Sequence, residues 1–147
     1  MIEIKKIIKS NVNILDAGFS DLISDPGHQN KQVSLAHLEK LVSDDRSYLM
    51  VAINDGIIAG YALAYRFPSL SGAENLAYLY DIEVLHMHRR KGVGRLLIDA
   101  LLANLKTDRV SELWLGTATD NTAAQALFSN TGAEKSDEVF NDYTYNL

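Results

Sequence analysis

A basic, glycine-containing run in the middle of the chain has the residue types that hold an anion. Its residues are Arg89, Arg90, Lys91, Gly92, Val93, Gly94 and Arg95. Glycines let the backbone curl close to an anion, and unpaired N–H groups at a helix start point toward it. The helix dipole and the flanking cations add positive potential. We therefore expect this run to be a phosphate-binding turn between a strand and a helix.

Two carboxylates, Asp81 and Glu83, lie inside the apolar stretch 76–84 that precedes the turn. Their spacing of two places them on one face of a strand. A carboxylate attracts a cationic amine and can accept its proton directly or through water. An ionised Asp in so apolar a strand has a specific cause, either this function or a hydrogen bond to backbone at a strand irregularity. Glu83, nearer the strand end, is equally compatible with plain solvation.

Several classes of site are disfavoured by spacing and composition. The glycine spacing matches neither the dinucleotide fingerprint G-x-G-x-x-G nor the nucleotide-binding loop that ends in Gly-Lys-Ser/Thr. The absence of cysteine excludes disulfides and a thiolate nucleophile, and it fits a reducing, cytoplasmic compartment. His86 and His88 have no acidic or histidine partner at ligand spacing, so we expect no metal site.

At the turn the chain resembles the GNAT superfamily of N-acetyltransferases. The pyrophosphate signature of that family, Arg/Gln-x-x-Gly-x-Gly/Ala, is matched by Arg89, Gly92 and Gly94. A second match runs from Asn121 to Phe128 and is closed by Gly132. In the family this second segment is the helix beside the pantetheine arm of the co-substrate.

The resemblance implies acetyl-CoA as co-substrate, with backbone N–H groups of residues 90–95 on its pyrophosphate. The peptide groups of Ile82 and Val84 would pair with the pantetheine amides, and an N–H near Val84 would stabilise the oxyanion. Asn121 and Phe128 would lie beside the pantetheine arm. Direct transfer in a ternary complex is the simpler scheme, because the chain has no cysteine to carry an acetyl group.

The segment from Tyr80 to Arg90 is similar in particular to small aminoglycoside 3-N-acetyltransferases, which have a Tyr-Asp-x-x-Val strand before a His-Arg-Arg turn. By this resemblance Asp81 would be the carboxylate on the acceptor side. The chain departs from the family at Phe128, where most members have a tyrosine that protonates the departing sulfur. A thiol with a pKa near ~8.5 is a fair leaving group without help. Tyr80, Tyr143 and Tyr145 are possible substitutes.

We therefore expect an acetyl-CoA-dependent N-acetyltransferase that acts on a small cationic amine, an aminoglycoside among the candidates. A polyamine or a peptide N-terminus is an alternative acceptor. Phe128 also leaves open an acyl-CoA-binding module with weak catalysis, and the basic turn could serve a protein that grips another phosphate. The formal net charge of −5 disfavours nucleic acid as a partner.

The elements that must position these residues can be predicted in order. The N-terminal alternation predicts a strand, Ile2 to Ile8, and not a signal peptide. Helical spacing predicts a helix from Asn11 to Ser24 and another, capped by Ser34, that includes Leu35 and Val42. Strands Ser47 to Ile53 and Ile57 to Phe67 should flank a hairpin turn at Asn54-Asp55-Gly56.

The second half should supply the central strand 76–84, covered on both faces, and the helix that follows the turn. A short strand, Glu112 to Ala118, should anchor Trp114 in the core. A helix capped by Asp120 or Asn121 should end near Gly132, and Val139 to Tyr145 should close the sheet. This order predicts one mixed α/β domain over residues 1–147, with a mixed, mostly antiparallel sheet flanked by helices. No apolar run is long enough to span a bilayer, and a homodimer through an edge strand is compatible with this fold.

Overall fold

The computed structural model describes residues 1–16, 18–19 and 34–147. Two compact units, 1–116 and 117–147, are described in turn. The strands are β1 (Ile2–Ile7), β2 (Ser47–Asn54), β3 (Ile57–Pro68), β4 (Asn75–Val84) and β5 (Val110–Trp114). The helices are α1 (Leu35–Ser43), α2 (Val93–Thr107) and α3 (Thr122–Asn130), with 3₁₀ helices at Lys9–Asp16 and His86–His88.

The first unit is built on a five-stranded sheet in the order β1-β2-β3-β4-β5. Neighbouring strands from β1 to β4 are antiparallel, and β4 pairs with β5 in parallel. The mixed, mostly antiparallel sheet that the sequence predicts is therefore confirmed. Asp55 and Gly56 adopt positive φ, 51° and 81°, and make the predicted two-residue hairpin turn.

The two faces of the sheet are covered by different elements. Helix α2 packs on one face, which we call the α2 face, and buries Val93, Leu97, Ile98, Leu101 and Leu105. On the other face, which we call the front face, the 3₁₀ helix Lys9–Asp16 and α1 share a core with β2 and β3. That core contains Val12, Leu15, Leu38, Val42, Leu49, Val51 and Tyr61.

Strand β4 carries the irregularity that shapes the site. Asp81 lies opposite Leu63 and Leu79 lies opposite Ala64, so Tyr80 is the extra residue of a β-bulge. β5 pairs only with the first part of β4, from Asn75 to Tyr78. Among the described strands, the remainder of β4 therefore pairs on one side only.

The prediction that β4 is covered on both faces is wrong. The side chains of Tyr78 and Tyr80 are 43% and 68% exposed. The apolar composition of the strand is real, but its front face extends beyond the core made by the 3₁₀ helix and α1. An apolar run alone does not say which of its residues find a cover.

Trp114 does not anchor the core, contrary to the prediction. It lies at the end of β5, which is an edge strand, and its side chain is 51% exposed. The strand itself begins two residues earlier than predicted and ends at Trp114. An edge strand has a neighbouring strand on one side only. A large side chain at the end of a short edge strand is therefore often exposed to solvent.

The first helical segment begins as a 3₁₀ helix at Lys9, before the predicted start at Asn11. The side chain of Asn11 fixes this start, because its Oδ1 accepts from the N–H of Ile8 at 2.7 Å and its Nδ2 donates to the carbonyl of Lys6. The predicted apolar positions Val12, Leu15 and Phe19 are buried. The part of the predicted helix from residue 20 to 24 lies outside the described residues.

The second unit contains α3, whose ends follow the sequence prediction. The side-chain oxygen of Asn121 accepts from the N–H of Ala124 at 3.0 Å and caps the helix. Gly132 follows with φ 98°, the left-handed conformation expected after a helix C-terminus. Ser34 caps α1 in the same way, by accepting from the N–H of His37.

The predicted closing strand, Val139 to Tyr145, is wrong. Residues 139–147 are described, and none of them belongs to a strand. Tyr143 and Tyr145 alternate with polar residues in the sequence, but a strand forms only when a neighbour supplies hydrogen bonds. Over the described part of the chain, no helix combines the length and apolarity needed to cross a membrane.

Candidate active site

The turn between β4 and α2 presents backbone N–H groups to the outside. Gly92 is the N-cap of α2 and has φ 80°, and Arg90 also has positive φ, 60°. No side chain caps this helix, so the first-turn N–H groups of Val93, Gly94 and Arg95 lack a partner within the helix. Such a helix start binds anions through its N–H groups and its dipole.

Arg89 fastens the turn to the end of β4. Its Nε donates to the carbonyl of Val84 at 2.9 Å, and its terminal nitrogen donates to Glu83 at 2.8 Å. The first arginine of the signature therefore holds the backbone that leads into the turn. Glu83 is the carboxylate that receives it, which gives Glu83 a structural partner that the spacing alone did not reveal.

The other basic side chains of the turn differ in whether they form an ion pair. Arg95 lies 3.7 Å from Asp99, one helical turn further along α2. Arg90 and Lys91 are exposed, and within the described residues neither takes part in an ion pair. These two side chains are therefore available to a phosphate that approaches the helix start.

The end of β4 supplies a backbone edge beside the turn. Ile82 and Val84 lie on the α2 face, opposite Ala62 and Gly60, and both are partly exposed. Gly60 permits the close approach of β3, because a Cβ there would meet the carbonyl oxygen of Glu83 at 2.7 Å. β5 stops short of this level, so no described strand pairs with the outer edge of β4 there. A strand edge without a neighbouring strand can form hydrogen bonds with a ligand.

Asp81 lies on the front face at the bulge and accepts a hydrogen bond from the hydroxyl of Tyr61. Tyr61 is buried, and its ring packs edge to face against Phe19 with centroids 5.3 Å apart. Burial, and then the hydrogen bond to Asp81, raises the pKa of Tyr61 well above its usual range. Tyr61 therefore keeps its proton and donates to Asp81 at any neutral pH.

Sequence reasoning missed Tyr61. The signal that could have found it is cross-strand register, which places Tyr61 opposite Glu83 and diagonal to Asp81. The bulge at Tyr80 brings Asp81 and Glu83 onto the face of Tyr61. The strand irregularity considered for Asp81 is therefore present, and the Tyr61 hydroxyl donates to its carboxylate. A catalytic role for Asp81 remains a prediction.

The structure brings together, within the first unit, the predicted residues Asp81, Ile82, Glu83, Val84 and the turn 89–95. Asn121 and Phe128 belong to the second unit, where Asn121 caps α3 and Phe128 is 8% exposed. Their assignment to the co-substrate remains a prediction. In the described part of the chain, no three His, Asp or Glu side chains cluster closely enough to hold a metal ion.

This arrangement combines an anion-binding helix start, an open strand edge and a hydrogen-bonded carboxylate. The helix start and the exposed cations fit a pyrophosphate, and the strand edge fits a chain of amides that continues from it. The carboxylate on the front face can attract a cation to the far side of that strand. These are the parts needed to hold an acyl donor on one side and an amine on the other.

Comparison with known proteins supports this interpretation. The profile of the Acetyltransferase (GNAT) family matches residues 13–133. The chain is 28% identical, over 78% of its length and 80% of the relative's, to aminoglycoside N(6')-acetyltransferase type 1 of Salmonella typhimurium. It is 39% identical to the [ribosomal protein bS18]-alanine N-acetyltransferase of Salmonella typhimurium, over 38% of each chain.

Among solved structures, an aminoglycoside acetyltransferase from an uncultured soil metagenomic sample, in complex with sisomicin, shares the fold. Its TM-score is 0.83 at 21% identity, over 99% of this chain and 96% of that one. The family profile covers most of the chain and includes the turn, the strand and α3. The chain therefore belongs to the GNAT family and is an N-acetyltransferase that uses acetyl-CoA.

Proposed function

We propose that the protein transfers the acetyl group of acetyl-CoA directly to a primary amine of a small cationic substrate, an aminoglycoside. The observation that carries the proposal is Asp81, a carboxylate held by buried Tyr61 on the front face of the strand that leads into the anion-binding turn. The relative that matches most of the chain acts on aminoglycosides, which supports this substrate class.

In the proposed mechanism the N–H groups at the start of α2, with Arg90 and Lys91, bind the pyrophosphate. The open edge of β4 near Ile82 and Val84 binds the pantetheine amides and aligns the thioester. A backbone N–H near Val84 donates to the carbonyl oxygen as it gains charge, an effect commonly worth ~3 kcal/mol.

Asp81 attracts the ammonium group of the acceptor and accepts its proton, directly or through water. The neutral nitrogen then attacks the thioester carbon, and the new C–N bond forms. As the C–S bond breaks, the nitrogen loses its second proton to water and becomes the amide nitrogen. The thiolate leaves and takes a proton from solvent, because Phe128 has none to give. A thiol of ordinary pKa, ~8.5, leaves without a dedicated acid.

Glu83 has a different task in this scheme. Its ion pair with Arg89 joins the end of β4 to the turn, and Arg89 also binds the carbonyl of Val84. We assign Glu83 to positioning of the turn, with a secondary contribution to the negative field that receives the amine.

A peptide N-terminus is the second candidate acceptor, and a local similarity favours it. The match to the alanine N-acetyltransferase is the stronger in identity, although it covers only 38% of each chain. A polyamine would satisfy the same carboxylate. A binding module without turnover would show acetyl-CoA affinity and no product.

The experiment that tests the proposal is an acetylation screen. The purified protein is incubated with acetyl-CoA and sisomicin, neamine, spermine, or an alanine-starting peptide. Free thiol is measured continuously, and products are identified by mass spectrometry and NMR, which also shows which nitrogen is acetylated. We expect turnover with the aminoglycosides. If only the peptide is acetylated, the substrate is a peptide N-terminus and not an aminoglycoside. Binding of acetyl-CoA without any acetylated product would contradict the enzymatic proposal.

We further propose that the protein works as a homodimer in the cytoplasm and can confer resistance to aminoglycosides. Exposed apolar side chains in the C-terminal segment support the dimer, since Val139, Phe140, Tyr143 and Tyr145 are each more than two-thirds exposed. Several large exposed apolar side chains within one short segment are consistent with a surface that a partner covers. Acetylation removes a positive charge from the antibiotic, which would weaken its contact with an anionic target.

A further inference from the structure

A group of aromatic side chains lies on the front face of the sheet, beside Asp81. Its members, which we call the aromatic patch, are Tyr65, Phe67, Tyr78, Tyr80 and Trp114. The rings of Phe67 and Trp114 meet edge to face with centroids 6.4 Å apart, and those of Tyr65 and Tyr80 do so at 6.0 Å. Four of the five are at least 36% exposed. An exposed aromatic patch of this kind marks a surface that binds a ligand or a partner.

A carboxylate is built into this patch. The indole Nε1 of Trp114 donates to Glu112 at 2.7 Å, which holds the carboxylate beside the ring. Glu112 and Glu74, with Ser69 and Ser111, also line an open hollow of ≈ 520 Å³ at the end of the patch. Aromatic faces, carboxylates and hydroxyls together suit a ligand that is both cationic and rich in hydroxyl groups.

Strands β3, β4 and β5 place no basic side chain on the front face. Arg66 is the only basic residue of β3, β4 and β5, all of which are described. It alternates with Tyr65 and Phe67, so it lies on the α2 face, where it is 3.4 Å from Asp45. The surface is therefore complementary to a cation and repels an anion such as a phosphate or a nucleic acid.

The geometry relates the patch to Asp81. Asp81 of β4 lies opposite Leu63 of β3. Glu112 of β5 pairs with Leu76 of β4, and Leu76 lies opposite Phe67 of β3. These levels are four residues apart on β3, which corresponds to about 13 Å along the strand. Trp114 lies at the level of Tyr78, between the two carboxylates. An acceptor with a single amine cannot contact both ends.

We propose that the aromatic patch and Glu112 form a second acceptor subsite, which binds the distal cationic ring of a multi-ring amine while its reacting amine lies at Asp81. The inference rests on the proposed function. It adds that the enzyme selects acceptors by the length of the acceptor molecule and by a second positive charge on it. Ring C–H groups stack on the indole and phenol faces, and a distal ammonium group pairs with Glu112.

The single tryptophan of the chain is Trp114, so its fluorescence reports on the subsite directly. Sisomicin is titrated into the wild-type protein, Glu112→Gln and Glu3→Gln while emission is followed. Glu3 is a matched control, an exposed glutamate on β1 at the opposite edge of the sheet. We expect a saturable change in emission, about threefold weaker apparent affinity in Glu112→Gln, and no change in affinity in Glu3→Gln.

Steady-state kinetics supply a second readout. Trp114→Ala should raise KM for sisomicin about tenfold with kcat retained, and should leave the single-ring amine cyclohexylmethylamine unaffected. Ile57→Ala, which removes an exposed apolar side chain at the β2–β3 hairpin, is the control. An equal loss for both amines, or no loss for sisomicin, would overturn the subsite.

The two proposals can fail separately. Acetylation of sisomicin without any change in Trp114 emission overturns the subsite and leaves the proposed function in place. A saturable emission change that depends on Glu112, without acetylation, supports the subsite and overturns the proposed function. Calorimetry that shows no binding of sisomicin overturns the subsite.

Discussion

The hydroxyl of Tyr61 donates a hydrogen bond to Asp81, the carboxylate that we propose receives the amine. It is buried in the front-face core and donates to one carboxylate oxygen, which leaves the carboxylate oriented at the bulge. We therefore propose that Tyr61 is a positioning residue, whose loss should affect turnover through the orientation of Asp81.

Tyr61→Phe removes this hydroxyl while nearly preserving the ring. We expect destabilisation of about 1.5–3 kcal/mol, the usual cost of losing a hydrogen bond to a charged group. We also expect slower turnover with acetyl-CoA affinity retained, because Asp81 loses the hydroxyl that orients it. Thermal unfolding, turnover and acetyl-CoA calorimetry check this, with Tyr48→Phe, which removes another buried tyrosine's hydrogen bond to a carboxylate, as the control. Unchanged turnover per folded Tyr61→Phe molecule would refute the positioning role.

Phe128 is the residue at which the chain departs from its family. Phe128→Tyr nearly preserves size, so the free energy of unfolding should change by less than about 1.5 kcal/mol. If the hydroxyl reaches the departing sulfur, the turnover rate should rise. The side chain is 8% exposed, so a loss of about 2 kcal/mol or more, measured by denaturant unfolding, would place the hydroxyl in a dry core and contradict the assignment.

At the scale of elements, we propose that β4, the turn and α2 together bind acetyl-CoA and the amine. The strand contributes an open edge and two carboxylates, and the helix contributes its uncapped start. Gly92 joins them, because its positive φ allows the chain to enter α2 with the N–H groups facing outward.

Gly92→Val should weaken acetyl-CoA binding by about tenfold or more, because a branched side chain would obstruct a pyrophosphate at the helix start. Gly56→Val is a close control: that glycine also has positive φ, 81°, with nothing near its Cβ, but lies in the β2–β3 hairpin. Both variants carry similar backbone strain. Calorimetry should find weak binding in the first variant only. Equal affinity in the two folded variants would remove the pyrophosphate from this turn.

Elements whose cause is local are predictable from the sequence, and those whose cause is distant are not. The Asp55–Gly56 turn and the caps at Ser34 and Asn121 depend on neighbouring residues, and all were predicted. The bulge at Tyr80 depends on pairing with β3, which no spacing within β4 encodes. The partner of Asp81 and the exposure of Trp114 follow from the same long-range register.

For the whole molecule, the charge distribution and the C-terminal segment bear on partners. The chain has a net charge of −5, and four of its fourteen Lys and Arg residues lie within residues 89–95, which suits an anionic donor at the turn and a cationic acceptor elsewhere. Apolar side chains of residues 139–147 are exposed in a single copy of the chain. Burial of such side chains by a second copy would lower the free energy of the assembly.

A double variant, Phe140→Ser with Tyr143→Ser, tests the homodimer. We expect the wild-type protein to have twice the chain mass by light scattering at micromolar concentration, and the variant to have the mass of one chain. Leu70→Ser removes an exposed apolar side chain from the β3–β4 loop and should leave the dimer intact. A monomeric wild-type protein would contradict the proposal.

The central claim is that Asp81 receives the amine. The measurement that tests it most directly is the rate of acetyl transfer by Asp81→Asn at saturating acetyl-CoA, with co-substrate affinity measured on the same sample. We predict that turnover falls by roughly two to four powers of ten while acetyl-CoA affinity is nearly unchanged, because the pyrophosphate site lies elsewhere. A lower melting temperature with intact turnover per folded molecule would contradict this role and leave Asp81 as a structural residue of the bulge.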